Sequence, residues 1–348
     1  MTSIFKMTAL AAACAFAGSA SAQVNLTAET ASPGGSIYLS MAHLGEIAAE
    51  FGIANIQVAD GQTLTNSIQN VAEGKTDIAG TPYILPFLLA KGRGPYSKLG
   101  EEKGADLASN LRALYPVTLG VFTLYAYDSV GVKGWDDLAG RTIYNGPPRG
   151  AAVTNARAVI QLTAGLKEGD GYTGVQVNWG QATKTIMDGS AEAVVLPVLF
   201  PDSRITRAVS AGNMTVWSIP KDAYESEAMQ KYLKAPGSAP WTMPIEEATF
   251  GDGVTVVSED GTFRGLATIG GDIVHKDMDF ELAKSLVAAH IKTLDRLKAK
   301  APFAGNVGFG VVDAVSSGMC GPNPLKYHPG AVAAWEEAGY TIDDCAKP

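Results

Sequence analysis

Basic clusters, long apolar runs and catalytic histidine or cysteine sets are all missing from this 348-residue chain. Lys and Arg are scattered and the formal net charge is −8, which argues against a nucleic-acid groove or an anionic membrane surface but leaves room for a local anion site. Beyond the first residues, no apolar run approaches the roughly 20 residues that span a bilayer. The longest, Tyr83 to Ala90, carries Pro86 and has the size of a buried strand or helix turn. His43, His275, His290 and His328 show neither metal-type spacing nor a His-Glu-x-x-His pattern. A Gly-x-Ser-x-Gly elbow and a Walker loop are both absent, so hydrolase and nucleotide-hydrolysis readings find no support. Gly305 to Gly310 holds three glycines without the strand context of a dinucleotide loop. No cofactor or metal is implied.

The first twenty-two residues read as a secretory signal peptide. Lys6 supplies the positive start, Met7 to Gly18 is apolar, and Ala20-Ser21-Ala22 offers small residues for cleavage after Ala22. An uncleaved anchor, or a lipoprotein cut before Cys14, are the alternatives. Only Cys320 and Cys345 remain after cleavage. An even pair in an oxidising compartment reads as one disulfide tying down the carboxyl terminus. The mature chain is expected to be soluble and periplasmic. Its length exceeds what one core usually organises, which predicts two lobes.

Short β-branched or aromatic runs alternate with helical patterns, the signature of an α/β fold on a largely parallel sheet. Strands are expected at Val24 to Ala28, Asn55 to Ala59, Ile78 to Thr81 and Leu114 to Tyr127. Tyr38 to Phe51 and Thr65 to Glu73 have helical periodicity. A second set follows Gly134: strands at Arg141 to Asn145, Val175 to Trp179, Ala191 to Val198 and Met214 to Ile219, and a helix at Val153 to Ala164. Ala235 to Gly261, rich in Pro and Gly, is expected to cross between lobes. Phe263 to Val274 reads as a strand, Phe280 to Lys300 as one long helix and Pro329 to Ala338 as the last. This assigns residues 23–134 plus 262–348 to lobe I and 135–261 to lobe II.

Three loops carry the candidate site. Ala31-Ser32-Pro33-Gly34-Gly35-Ser36 follows the first strand and opens a helix. Such a junction presents free N–H groups at the positive end of a helix, and glycines admit close approach; a tight turn capped by Ser36 is the plainer reading. Asn145-Gly146-Pro147-Pro148-Arg149-Gly150-Ala151 repeats the design, with Arg149 able to grip a carboxylate through two hydrogen bonds. Asp60-Gly61-Gln62-Thr63 ends the second strand. Open α/β sheets bind ligands outside the carboxyl ends of their strands, where these loops should converge. Tyr83 is a fourth wall candidate, or core.

At these residues the chain resembles the TAXI family, the solute-binding subunits of one class of TRAP transporters. The likeness rests on Ser32-Pro33-Gly34-Gly35-Ser36-Ile37-Tyr38, Val71 to Ala79, Leu114-Tyr115-Pro116, Trp135 to Arg141 followed by Gly146-Pro147-Pro148, Phe200-Pro201, Tyr327 to Ala331 and Glu337-Ala338-Gly339. The resemblance implies a two-lobed, hinged periplasmic-binding-protein (type II) fold that closes on one small organic anion or zwitterion. The ligand would be handed to a sodium-driven TRAP membrane permease, without chemistry on it. Small carboxylates of the 2-oxoacid, dicarboxylate and amino-acid types are the implied ligands. It also implies Ser32, Gly35, Ser36 and Tyr38 as first-lobe contacts and the loop from Gly146, with Gly150, as the second. Two departures stand out: Arg149-Gly150-Ala151-Ala152 replaces a Gly-Ser-Gly-Thr run, and Asp60-Gly61-Gln62-Thr63 replaces Thr-Gly-Gly-Ser. The pairing suggests a carboxylate that also bears a hydroxyl or amino group, with Arg149 on the anion and Asp60 on the donor. A receptor for an ABC importer, a sensor-type binding protein, and remotely an exported enzyme using Asp60 with Arg149, are the alternatives.

Overall fold

The computed structural model describes residues 23–348; the leader and its cleavage point lie outside the described residues. The chain opens as alternating strands and helices. Strands β1 (Val24–Glu29), β2 (Ala54–Ala59) and β3 (Ile78–Pro82) are parallel, with β1 central. Helix α1 (Ser36–Glu50) joins the first two and buries Met41, Leu44, Ile47 and Ala48 of the expected stripe, with Ile37 buried in place of Leu39, which is only half-buried. Each of the larger of these side chains contributes about 2 kcal/mol by leaving water. Helix α2 (Leu64–Ala72) buries Ile68 and Val71 in the same way.

Helices α3 (Ile84–Ala90) and α4 (Gly100–Ser109) follow and lead into β4 (Leu111–Tyr127). Lobe II then adds β5 (Thr142–Tyr144), α5 (Ala151–Ala164), β6 (Thr173–Val175), α6 (Ala182–Met187), β7 (Ala193–Val198), α7 (Ser203–Ala208) and β8 (Met214–Trp217). Two short helices come next, α8 (Lys221–Glu225) and α9 (Glu227–Tyr232). The stretch expected to cross between lobes instead forms β9 (Ser238–Pro244) and β10 (Val254–Val257), which pair with β11 (Thr262–His275) and β8. The expected long helix breaks at Thr293 into α10 (Phe280–Lys292) and α11 (Leu294–Lys298). There the Thr293 hydroxyl donates to the Ala289 carbonyl at 2.8 Å and lies 2.9 Å from Nε2 of His43. Strand β12 (Lys326–Tyr327) and helix α12 (Pro329–Glu337) return to lobe I, where Trp335 is fully buried.

Strands β4 and β11 are the longest in the sheet and connect its two ends. They pair antiparallel along most of their length, with register shifts at Thr268/Ile269 and Asp272/Ile273. The β3 end of lobe I pairs with β11 at Gly270 and Pro82, whereas β7 of lobe II pairs with β4 at Val121 and Val198. The carboxyl ends of both parallel sets therefore point at the same middle stretch, around residues 118–120 and 268–270. Gly120 lies in this stretch at φ 151°, and a Cβ there would sit 3.0 Å from Pro197 Cβ. Only glycine lets the two backbones approach so closely.

Cys320 and Cys345 form a disulfide with Cα atoms 5.4 Å apart, closing a loop of 25 residues. In the chain-entropy account a loop of that length is worth about 3 kcal/mol. Reduction, or Cys345→Ser, is therefore expected to lower the denaturant-unfolding free energy by about that amount; unchanged unfolding in reductant would contradict it.

Candidate functional site

Helix α1 begins at Gly35, an extended N-cap (φ −111°, ψ 166°) with no side chain satisfying the first turn and no acidic residue in it. Helix α5 begins at Gly150 (φ 105°), equally uncapped and free of acid. Both helices are long enough to focus a macrodipole on their free N–H groups. A Cβ built on Gly34, Gly35 or Gly150 would meet nothing within 4 Å, so these turns face open space. That is the arrangement that accepts an anion at a helix start.

The first-lobe loops adjoin one another. The Gln62 N–H donates to the Thr30 carbonyl at 3.0 Å, and Ser32 Oγ lies 3.8 Å from where a Gly61 Cβ would be. Ser32, Asp60, Gln62 and Thr63 are exposed, and Gly35 and Tyr38 half-buried. The Gln62 side-chain amide folds back to donate to the Asp60 carbonyl at 2.8 Å. Ser36 departs from the expected role of a hydroxyl contact. It is buried, and its Oγ donates to the Thr118 carbonyl at 2.7 Å, which fastens the helix start to β4. Tyr83 is corrected from cleft wall to core: it is fully buried and its hydroxyl donates to the Tyr115 carbonyl at 2.8 Å. Burial holds that phenol's pKa far above its ordinary value.

In lobe II, Arg149 is exposed and Gly150 half-buried, while Gly146 is buried, its absent Cβ leaving 3.3 Å to Ala152 Cβ. Gly146 shapes the turn from beneath. A polar bracket sets this loop: Asn145 donates to Glu168 at 2.6 Å and accepts from Gln176 at 2.7 Å, while Glu168 takes both Nε and Nη2 of Arg157 at 2.8 and 2.7 Å. The hydrogen bonds from Arg157 hold the Glu168 carboxyl below its ordinary pKa against the opposing effect of burial. The strand expected at Val175 to Trp179 stops at Val175 because Gln176 turns its side chain into this bracket, and Trp179 is left 45% exposed.

Two further features escaped sequence reading. After β7, a cis Phe200-Pro201 bond leads to Asp202, which caps α7 and pairs with Arg204. An Asp-Ser-Arg run directly behind a buried strand was the available signal. Beneath the α1 loop, Asp272 of β11 is fully buried and accepts from Tyr115 Oη at 2.7 Å and Ser40 Oγ at 3.2 Å. Desolvation raises its pKa to about 7 despite those bonds. Tyr115 also stacks on His290, ring centroids 3.6 Å apart. Burial lowers His290 to about 3, and burial with the nearby Lys300 and Arg296 charges lowers His43 to about 4. Among the described residues no three His, Cys, Asp or Glu converge as a metal site, and no helix is long and apolar enough to cross a membrane.

The sequence model of the NMT1-like family matches residues 29–339. The chain belongs to the NMT1-like family. No curated protein sequence matches it significantly. Among solved structures, a protein from Bordetella bronchiseptica RB50 has a TM-score of 0.53 at 14% identity, covering 91% of this NMT1-like chain and 98% of its own. The periplasmic sulfonate-binding protein SsuA of a sulfonate ABC transporter from Methylobacillus flagellatus KT has 0.47 at 14%, covering 79% and 69%. A TRAP periplasmic solute-binding protein from Polaromonas sp. JS666, bound to D-erythronate, has 0.43 at 11%, covering 82% of each. At these identities the likeness is one of fold.

Proposed function

We propose that this NMT1-like protein is an extracytoplasmic solute-binding protein that captures a small carboxylate of the 2-oxoacid, hydroxy-acid or amino-acid type for a TRAP transporter of the TAXI class. The observation that carries this reading is the pair of uncapped glycine helix starts, one per lobe, on strand sets that end at the same crossing. An anion held by N–H groups of both lobes would favour the closed form, because each helix contributes only when the lobes meet. The boundary between lobes on this reading runs through residues 118–120 and 268–270, inside β4 and β11, and not at 134 and 262. The leader delivers the chain to the periplasm and is cleaved after Ala22.

Arg149 supplies charge from the rim of the second lobe, and Asp60 answers a hydroxyl or amino group of the ligand. Replacing Arg149 by Ala is expected to weaken carboxylate binding at least about tenfold, since a charge-assisted fork is lost. Calorimetry reads this directly, and equal affinity would remove Arg149 from the site. A thermal-shift screen of small carboxylates and amino acids tests the whole reading: a true ligand at 100 times its dissociation constant stabilises by about 2.7 kcal/mol. Receptors of ATP-driven importers, and of sensor kinases, use a cleft of the same kind; the permease or kinase encoded beside the gene separates these readings.

A further inference from the structure

Arg204 has more donors than its structural partners use. A guanidinium carries five N–H groups. Nε donates to Asp202 Oδ1 at 3.0 Å, and Nη2 to Asp202 Oδ2 at 2.7 Å and to the Pro197 carbonyl. Asp202 is 4% exposed and also accepts from the backbone N–H groups of Leu199 and Arg204, at 3.2 and 2.8 Å. The carboxylate is therefore saturated, and the pair alone suffices to set the turn after β7. Both N–H groups on Nη1 have no acceptor among the described residues, and the Arg204 side chain keeps 19% of its surface.

The surroundings point the same way. Trp179 places its indole over the guanidinium, 5.3 Å from atom to centroid, and is 45% exposed. On the inner side the Tyr125 hydroxyl is sealed from solvent without a hydrogen-bond partner, while that of Tyr144 donates to the Val177 carbonyl at 3.3 Å. Trp179 follows β6 and Arg204 follows β7, two of the three parallel lobe II strands whose carboxyl ends point at the crossing. Burial disfavours the charged guanidinium, yet Asp202 raises its pKa above the ordinary value, so the cation is permanent. Held in place before a ligand arrives, it loses less side-chain freedom on binding than exposed Arg149 must.

We infer that Nη1 of Arg204, roofed by Trp179, is the cationic contact through which lobe II takes a carboxylate oxygen of the ligand. This rests on the carboxylate-binding reading above and names the residue on which it depends most. Lysine at 204 keeps the charge and a partner for Asp202 but loses the fork.

The test uses the mature protein with pyruvate, L-malate, succinate and L-glutamate in calorimetry. For any that the wild type binds, Arg204→Lys is expected to bind at least about 30-fold more weakly, with circular dichroism unchanged. In a Trp241→Phe background, which removes the half-buried indole of β9, Trp179→Phe at its exposed position is expected to fold and to lose the ligand-induced change in tryptophan fluorescence, since the remaining Trp135, Trp217 and Trp335 are buried away from solvent. Unchanged affinity in Arg204→Lys, or a fluorescence response that survives Trp179→Phe, overturns the assignment alone. A wild type that binds none of the four overturns the carboxylate reading and this assignment with it.

Discussion

Replacing Gly35 by Asp is expected to make the protein more stable and nearly abolish its binding. The position is extended and its Cβ would meet nothing within 4 Å, so the substitution brings neither strain nor clash. Asp is a better N-cap than Gly by a few tenths of a kcal/mol, and its charge at the helix start adds about 0.3–1 kcal/mol more. The same carboxylate then occupies the N–H groups proposed to hold the ligand's anion and repels it besides. Affinity for a carboxylate should fall by about 100-fold or more, the sum of a lost charge-assisted contact and an added like charge. Gly35→Asn separates the two effects, capping the helix without the charge and weakening binding less. Gly150 cannot serve for this experiment, because its φ of 105° strains any other residue. A Gly35→Asp protein that melts higher and binds as before would move the anion away from the α1 start.

The second large effect is a proton linkage in lobe I. Asp272, raised to about 7 in the fold from an ordinary 3.8, is held as the neutral acid; that stability is complete below about pH 4 and is lost as pH rises through 7. His43 and His290, lowered to about 4 and about 3 from 6.5, are held as neutral bases; their contribution is complete above pH 6.5 and is lost as pH falls toward those values. Between about pH 4 and 6.5 the unfolded chain thus gains two imidazole protons and gives up one carboxyl proton. The net uptake of one makes stability rise with pH by about 1.4 kcal/mol per unit across that window. Asp272→Asn removes the opposing member. Its stability relative to wild type is expected to improve by about 4 kcal/mol on going from pH 4 to pH 8, measured by denaturant unfolding at both. A difference that does not change with pH would show that Asp272 titrates as an ordinary carboxylate.

The strands and helices around the proposed site were legible because each has one periodicity and a glycine at its boundary. The loops at residues 31–36, 60–63 and 145–150 fall between the elements that the pattern predicts. Helix α4 was not legible, since its sequence Gly100 to Ser109 carries two glycines and four charges. The structure explains the choice: Gly104 packs against α3 so closely that a Cβ would overlap the Leu89 carbonyl oxygen at 2.0 Å. Local propensity was traded for that close helix contact. Thr293 likewise gives no warning in sequence, because its contact with His43 exists only once α10 lies beside α1. Ser36 and Tyr83 share a different obscurity. Their hydroxyls are spent on β4 carbonyls, Thr118 and Tyr115, 82 and 32 residues away, and no local pattern records that.

The order of elements along the chain has a consequence for how the protein is made. On the boundary proposed above, the second lobe is one uninterrupted stretch, residues 121–268, whereas the first lobe needs the end of β11, Tyr327 and Trp335 from further along the chain. A polypeptide that emerges amino end first can finish the second lobe while the first is still short of its closing strand and its largest core side chain. During that interval the sides of β3 and α1 that β11 and α10 cover in the finished fold lack those partners, and the disulfide can lock only once Cys345 has appeared. The carboxyl terminus thus acts as the final fastening of the lobe that begins the sequence.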